Sequence, residues 1–208
     1  MAPFHTERRR AVRPADKFDA RRDQLAESAL TTLGELGYAR ASLREIANNS
    51  PFSHGVVHYY FQDKLELVIY SVRYYKARCV TRYDPVIAEA TTADGLLDAF
   101  ADKLAETIRD EAPMHRLWYD LRTQSMFEDQ LRDAVTLIDE TLESMIWRVI
   151  SRYAELADRP AALESRVAYG VLDGLFQQAL LDHVAGRTEA LTALVDRVHA
   201  VMPLMLAR

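Results

Sequence analysis

The sequence holds one cysteine, Cys79, among 208 residues, so an intramolecular disulfide is excluded. A lone thiol fits a reducing compartment, and its place within a helical pattern points to a buried structural role. Glycine and proline are scarce, seven of each, and no alternation of apolar and polar residues persists long enough to make a strand. An all-α protein is expected. No uninterrupted apolar run approaches the ~18 residues that span a bilayer, and the opening MAPFHTERRR runs into charge without an apolar signal region. The reading is therefore a cytoplasmic protein with no membrane partner. Catalytic signatures are missing too: there is no Gly-rich phosphate loop, no HExxH, no paired cysteine and no Glu-x-x-His suited to a di-iron bundle. Glu111 and His115 stand four residues apart, a spacing that can hold a metal. Two side chains alone are more often a solvated pair, so neither a metal nor a cofactor is expected.

What is present is unevenly distributed. The net charge of −5 would argue against a nucleic-acid partner if it were uniform. Residues 1–64 carry ten Lys/Arg against eight Asp/Glu, and the remainder sixteen against twenty-three. A basic front on an acidic body fits a DNA-binding head with a differently employed remainder. Solvated charge is the plainer alternative.

Residues 1–18 contain Arg8, Arg9, Arg10, Arg13 and Lys17 without apolar periodicity and read as a flexible basic arm. Such an arm either follows phosphates or the minor groove, or simply solubilises. Asp19 can cap a first helix bearing Leu25, Ala29, Leu33 and Leu36, with Gly37 as its left-handed C′ residue. Ser42-x-x-Glu45 is a capping box ahead of Ile46-Ala47; Asn48 to Pro51 cannot continue that helix; Ser53 can cap HGVVHYYF, and Asp63-x-x-Glu66 caps the next. Two short helices across a tight turn suggest a helix-turn-helix.

A fourth helix runs from Asp63 to about Asp84, where Pro85 bends or ends it. Helices follow from Thr91 or Thr92 to Pro113, from Met114 to Met126, from about Glu128 to Ala157, from beyond Pro160 to Ala185, and from Thr188 to about Leu206. The expected fold is all-α with nine helices: a helix-turn-helix domain over residues 19–66, and a larger helical domain for ligand binding and dimerisation over 67–208.

Leu36-Gly37-Tyr38, Ser42 through Ala47, Phe52 through Phe61 and Asp63-Lys64-Leu65-Glu66-Leu67 together resemble the N-terminal signature of the tetracycline-repressor (TetR) family. The match covers about residues 22–70; the Trp/Tyr-rich sixth helix is loosely similar to the betaine-biosynthesis repressors. The resemblance implies a homodimeric repressor on a near-palindromic double-stranded operator, released when a small effector binds the C-terminal domain. It assigns phosphate contacts to Ser42 and Arg44, and a recognition surface to Ser53, His54, Gly55, Val56, His58 and Tyr59. Tyr60 falls at the far end of that surface, and Lys64 grips phosphate at a helix N-terminus. Two departures stand out. Pro51 replaces the usual turn Gly, so another residue such as Asn49 would have to take any positive φ, and His58 replaces a usual Tyr, so phosphate binding there could vary with pH. The recognition helix also lacks Arg and Lys.

The effector pocket is expected from Met114, His115, Trp118, Tyr119, Arg122, Met126 and Phe127 on the sixth helix and Trp147 on the seventh, where the family places its ligand. Ordinary core aromatics are the alternative. The dimer face is expected from Val167, Gly170, Val171, Gly174, Gln178 and Leu181, joined by Leu191, Leu194, Val198 and Met202 on the last helix. The alternative is that these stripes only seal the monomer. Two other classes stay open: a helical small-molecule-binding or enzymatic protein with a vestigial helix-turn-helix, and a DNA binder without an effector.

Overall fold

The computed structural model describes residues 14–208, with nine α-helices and no strand among them. They are α1 (Pro14–Arg40), α2 (Leu43–Asn48), α3 (His54–Tyr60), α4 (Lys64–Cys79), α5 (Asp84–Glu89), α6 (Ala93–Gln124), α7 (Asp129–Leu156), α8 (Ser165–Val184) and α9 (Ala190–Val201), with a 3₁₀ turn at Met202–Met205. The number of helices matches the sequence reading, but the division differs.

The first helix is described from Pro14 onward, so Asp19 lies inside it and is not its cap. The rest of the expected arm, residues 1–13, lies outside the described residues. Helix α4 stops at Cys79, and Pro85 sits in the first turn of the short α5 instead of ending a longer helix. Pro113 does not end a helix either. It lies inside α6, and the missing N–H and ring clash are absorbed by a kink at Glu111 (φ −130°, ψ 24°). The two helices expected on either side of Pro113 are therefore one bent helix.

A continuous apolar core runs through the molecule. It joins Leu25, Leu33, Ile46, Val57 and Phe61 of the head to Leu67, Phe100, Ile108, Trp118, Ile150 and Leu194 of the body. Helix α1 lies between α4 and α6, and α6 is central to the body, packing against α7, α8 and α9. The chain end closes back on the α7–α8 loop, where the Ala162 N–H donates to the Met205 carbonyl at 2.8 Å and the Ala207 N–H to that of Pro160 at 2.9 Å. Among the described residues, no helix is long and apolar enough to cross a membrane.

Candidate functional site

The head is assembled by the local signals seen in the sequence. Ser42 Oγ accepts from the Glu45 N–H at 3.2 Å while Glu45 Oε2 accepts from the Ser42 N–H at 2.9 Å, completing the capping box. Ser53 caps α3 by accepting from the Val56 N–H, and Asp63 caps α4 by accepting from the Glu66 N–H at 2.8 Å. Between α2 and α3 the turn needs no positive φ: Asn49 takes φ −94°, and Asp158 is the sole non-glycine with positive φ among the described residues. Pro51 is tolerated because Ser50 Oγ organises the turn, donating to the Ala47 carbonyl and accepting from the Phe52 N–H, both at 3.1 Å.

One outer face carries Ser42, Arg44, Ser53, His54, Gly55, His58 and Tyr59, all exposed, with Val56 half-covered at its edge. His54 and His58 meet on α3, with Nε2 to Nε2 at 3.2 Å. Tyr60 turns inward: it is half-buried against the head core, with the Phe18 ring 4.8 Å away. Lys64 donates to the Tyr38 carbonyl at 2.6 Å and lies 4.2 Å from the Tyr38 ring centre, leaving two ammonium hydrogens for a further partner. The sequence reading missed Arg22. It reaches Glu66 Oε1 at 2.5 Å and covers the Phe61 and Tyr70 rings, fastening α1 to α4 behind the exposed face.

A cavity of about 70 Å³ lies in the body. Helix α4 contributes Lys76 and Cys79, with Arg82 and Tyr83 following; α6 contributes Leu104, Thr107, His115, Trp118 and Tyr119. Helices α7 and α8 close it with Leu142, Met145, Ile146, Tyr169, Leu172, Asp173 and Phe176. Of the eight pocket residues expected, three line it: His115, Trp118 and Tyr119. Arg122 stands behind the wall, donating to Asp173 Oδ2 at 2.6 Å.

The other four expected pocket residues lie elsewhere. Met114 packs toward α1, where a Cβ at Gly34 would come within 2.3 Å of its Cε. Met126 and Phe127 are 66 % and 79 % exposed because α6 ends at Gln124 and leaves them in the turn. Trp147 packs against the core away from the cavity.

The polar groups of the cavity fall into two sets. In one, every group has a partner. Tyr75 donates to Glu111, which also receives Arg82 at 2.6 Å; Tyr119 donates to Asp173 at 2.9 Å, and Tyr169 to Asp139 at 2.7 Å. Burial would raise Glu111, but the bonds from Tyr75 and Arg82 outweigh it and hold the carboxyl below its usual range. Burial, with Asp173 beside it, pushes the Tyr119 hydroxyl far up.

The second set has no partner. Trp118 Nε1 and His115 Nε2 are buried without a hydrogen bond, and Lys76, 5 % exposed, makes neither hydrogen bond nor salt bridge among the described residues. Burial lowers the Lys76 ammonium to about 8, Arg82 adding to this against the opposing pull of Cys79, Asp173 and Glu111. Burial, with Lys76 and Arg82 nearby, holds His115 well below its ordinary value and therefore neutral. Glu111 and His115 do not form a solvated pair: His115 stacks edge-on to Phe176 at 4.9 Å, and no group of three potential metal ligands exists among the described residues.

On α8, Val167, Gly170, Val171, Gly174, Gln178 and Leu181 all face solvent in the protomer. A Cβ at Gly170 or Gly174 would meet nothing within 4 Å. The expected α9 half of the dimer stripe is corrected. Leu194, Val198 and Met202 are fully buried, packed inward on the protomer core, and Leu191 is half-buried.

The sequence of residues 25–70 matches the family model described as bacterial regulatory proteins, tetR family. Residues 25–70 thus carry the N-terminal domain of that family. It is 28 % identical over 165 residues to the HTH-type transcriptional regulator BetI of Cronobacter sakazakii, covering 77 % of this chain and 80 % of that one. The fold is similar to a TetR transcription regulator from Haloarcula marismortui (TM-score 0.74, 20 % identity, 91 % and 100 % covered). It is also similar to a transcriptional regulator from Saccharomonospora viridis solved in complex with choline (TM-score 0.68, 16 % identity, 91 % and 100 % covered).

Head and cavity share α6. Gly34 of α1 sits against Pro113 and Met114, beside the kink at Glu111. The Tyr38 N–H donates to Asp120 Oδ2 at 2.7 Å, and the Tyr38 hydroxyl donates to Glu128 at 3.0 Å. Burial and Glu128 push that hydroxyl up to about 12. His115, Trp118 and Tyr119 line the cavity from the same stretch of helix that holds the head.

Proposed function

We propose that the chain is a ligand-responsive repressor that binds a near-palindromic operator as a dimer and leaves it when a small effector fills the cavity. One observation carries the reading: α6 holds the head through Asp120 and Met114 while lining the cavity with His115, Trp118 and Tyr119. A shift of α6 on filling the cavity then moves the head. Two heads reading half-sites one turn apart need a separation of about 34–36 Å, and an effector that favours another spacing releases them. The unit for DNA is residues 19–66, extended at its start by the helical residues from Pro14, and the ligand and dimer unit is 67–208. A choline complex of a similar fold supports small-molecule binding in the body. The exposed α8 stripe, with open space over Gly170 and Gly174, supports dimerisation through α8.

The exposed face of α2 and α3 supplies the DNA contacts, with Ser42, Arg44 and Lys64 on phosphate and His54, Val56 and Tyr59 toward base edges. Because α3 carries no Arg or Lys, affinity rests on phosphate contacts. The test is to select genomic DNA fragments with the purified protein and titrate the best of them over a range of salt. Lys64→Ala weakens binding to all sequences and flattens the salt slope by about one unit. A thermal midpoint measured in parallel separates this from loss of the bond to the Tyr38 carbonyl. An unchanged slope and affinity removes Lys64 from the interface.

A further inference from the structure

The groups in the cavity without partners are all able to donate. We propose that the effector is a small organic anion, a carboxylate on an apolar body, whose charged end is held by Lys76 beside Trp118. This rests on the cavity being the effector site. Arg82 has Glu111 at 2.6 Å and Arg122 has Asp173 at 2.6 Å, so the two guanidiniums are neutralised within the protein. Lys76 is the cavity cation with no carboxylate within salt-bridge distance among the described residues, its ammonium 4.9 Å from the Trp118 ring centre.

The acceptors are already taken. Asp173 receives Tyr119 and Arg122, and Glu111 receives Tyr75 and Arg82. What stays open is the indole N–H of Trp118 and Nε2 of the neutral His115, with the Lys76 ammonium resting on the Trp118 ring and on no carboxylate. An indole N–H and an ammonium can only donate, so the missing partner must accept, and a negative acceptor also neutralises Lys76. The remaining wall, with Leu104, Leu142, Ile146, Leu172 and Phe176, takes an apolar body. A quaternary ammonium is disfavoured on the same grounds. It would sit beside an unneutralised lysine, and Lys76 and Arg122 already lie 4.9 and 5.8 Å from the Trp118 ring centre that would attract it.

Calorimetric titration of the full chain with three matched probe series tests this: straight-chain alkanoates from butanoate to decanoate, their primary amides, and alkyltrimethylammonium ions of the same lengths. The acid binds about tenfold or more tighter than the amide of its best length, and the trimethylammonium more weakly than either. Lys76→Met and Lys76→Gln remove the advantage of the acid and leave the amide unchanged. Amides that match the acids, a trimethylammonium that binds best, or a Lys76→Gln variant that still prefers acids overturns the anion assignment while leaving the cavity as a ligand site. No binding in any series at millimolar concentration overturns both.

Discussion

Lys76→Met raises the thermal midpoint of the ligand-free protein by roughly 5–10 °C, the expectation for about 2–3 kcal/mol in a chain of this size. The lysine is 5 % exposed and has no carboxylate partner, and burial lowers its ammonium from 10.5 to about 8. A displacement of that size corresponds to about 3 kcal/mol by which the folded state disfavours the charge. Removing a buried charge and keeping an apolar chain of similar volume recovers most of this, less the attraction to the Trp118 ring.

The pH dependence follows from the same displacement. Below pH 8 the lysine is protonated in both the folded and the unfolded chain, and the whole penalty is present. Between about 8 and 10.5 the unfolded chain binds more protons, so stability rises with pH across that window. The buried tyrosines oppose this only above about pH 10, where their unfolded hydroxyls ionise first. The wild-type midpoint therefore climbs from pH 8 to 9.5, and Lys76→Met is flat over the same range. A wild type that does not climb, or a variant less stable at pH 7, shows that the ammonium is already compensated.

Gly37→Ala lowers the midpoint by roughly 3–10 °C and weakens DNA binding together with it. Gly37 lies at φ 75°, ψ 171°, a region that residues bearing a Cβ avoid at a cost of about 1–3 kcal/mol. The added Cβ would also stand 3.1 Å from Asp120 Oδ2, the oxygen that receives the Tyr38 N–H at 2.7 Å. Strain and crowding thus fall on the connection between head and body. Asp120→Ala removes the acceptor without the backbone strain and is the milder variant. If DNA affinity survives Gly37→Ala while the midpoint falls, the head docks through other contacts. An unchanged midpoint contradicts the backbone argument.

The head was legible because its signals are local. Ser42, Ser53 and Asp63 each act on an amide three residues on, and those contacts depend only on sequence spacing. Gly37 was read as left-handed and does take a positive φ, although its ψ is extended and a further turn follows it to Arg40. The kink of α6 was not legible: Pro113 weakens one turn, but core residues on both sides of it, Leu104 and Ile108 before and Leu117 and Leu121 after, keep the two halves in one helix. Periodicity shows that a face is apolar and not what covers it, which is why Leu194, Val198 and Met202 read as a dimer stripe and are core.

Met126 and Phe127 read as pocket residues because they continue the aromatic cluster of the expected sixth helix, where the family places its ligand, yet they follow the last turn of α6. The cavity's α4 wall did leave a signal. Lys76 continues the Val68 and Val72 spacing and is followed by Cys79, placing a charge on an apolar face. A lysine in that register is either a snorkelling side chain or a ligand group, and the spacing does not separate them.

In the proposed mechanism, filling the cavity and holding DNA oppose each other. The measurement is the affinity of the purified protein for a genomic fragment it has selected, with and without a saturating small molecule that raises its thermal midpoint. Coupling of the usual size weakens DNA binding by about 5- to 150-fold, and the DNA weakens the small molecule by the same factor. Equal DNA affinity with the cavity empty and filled would contradict the account.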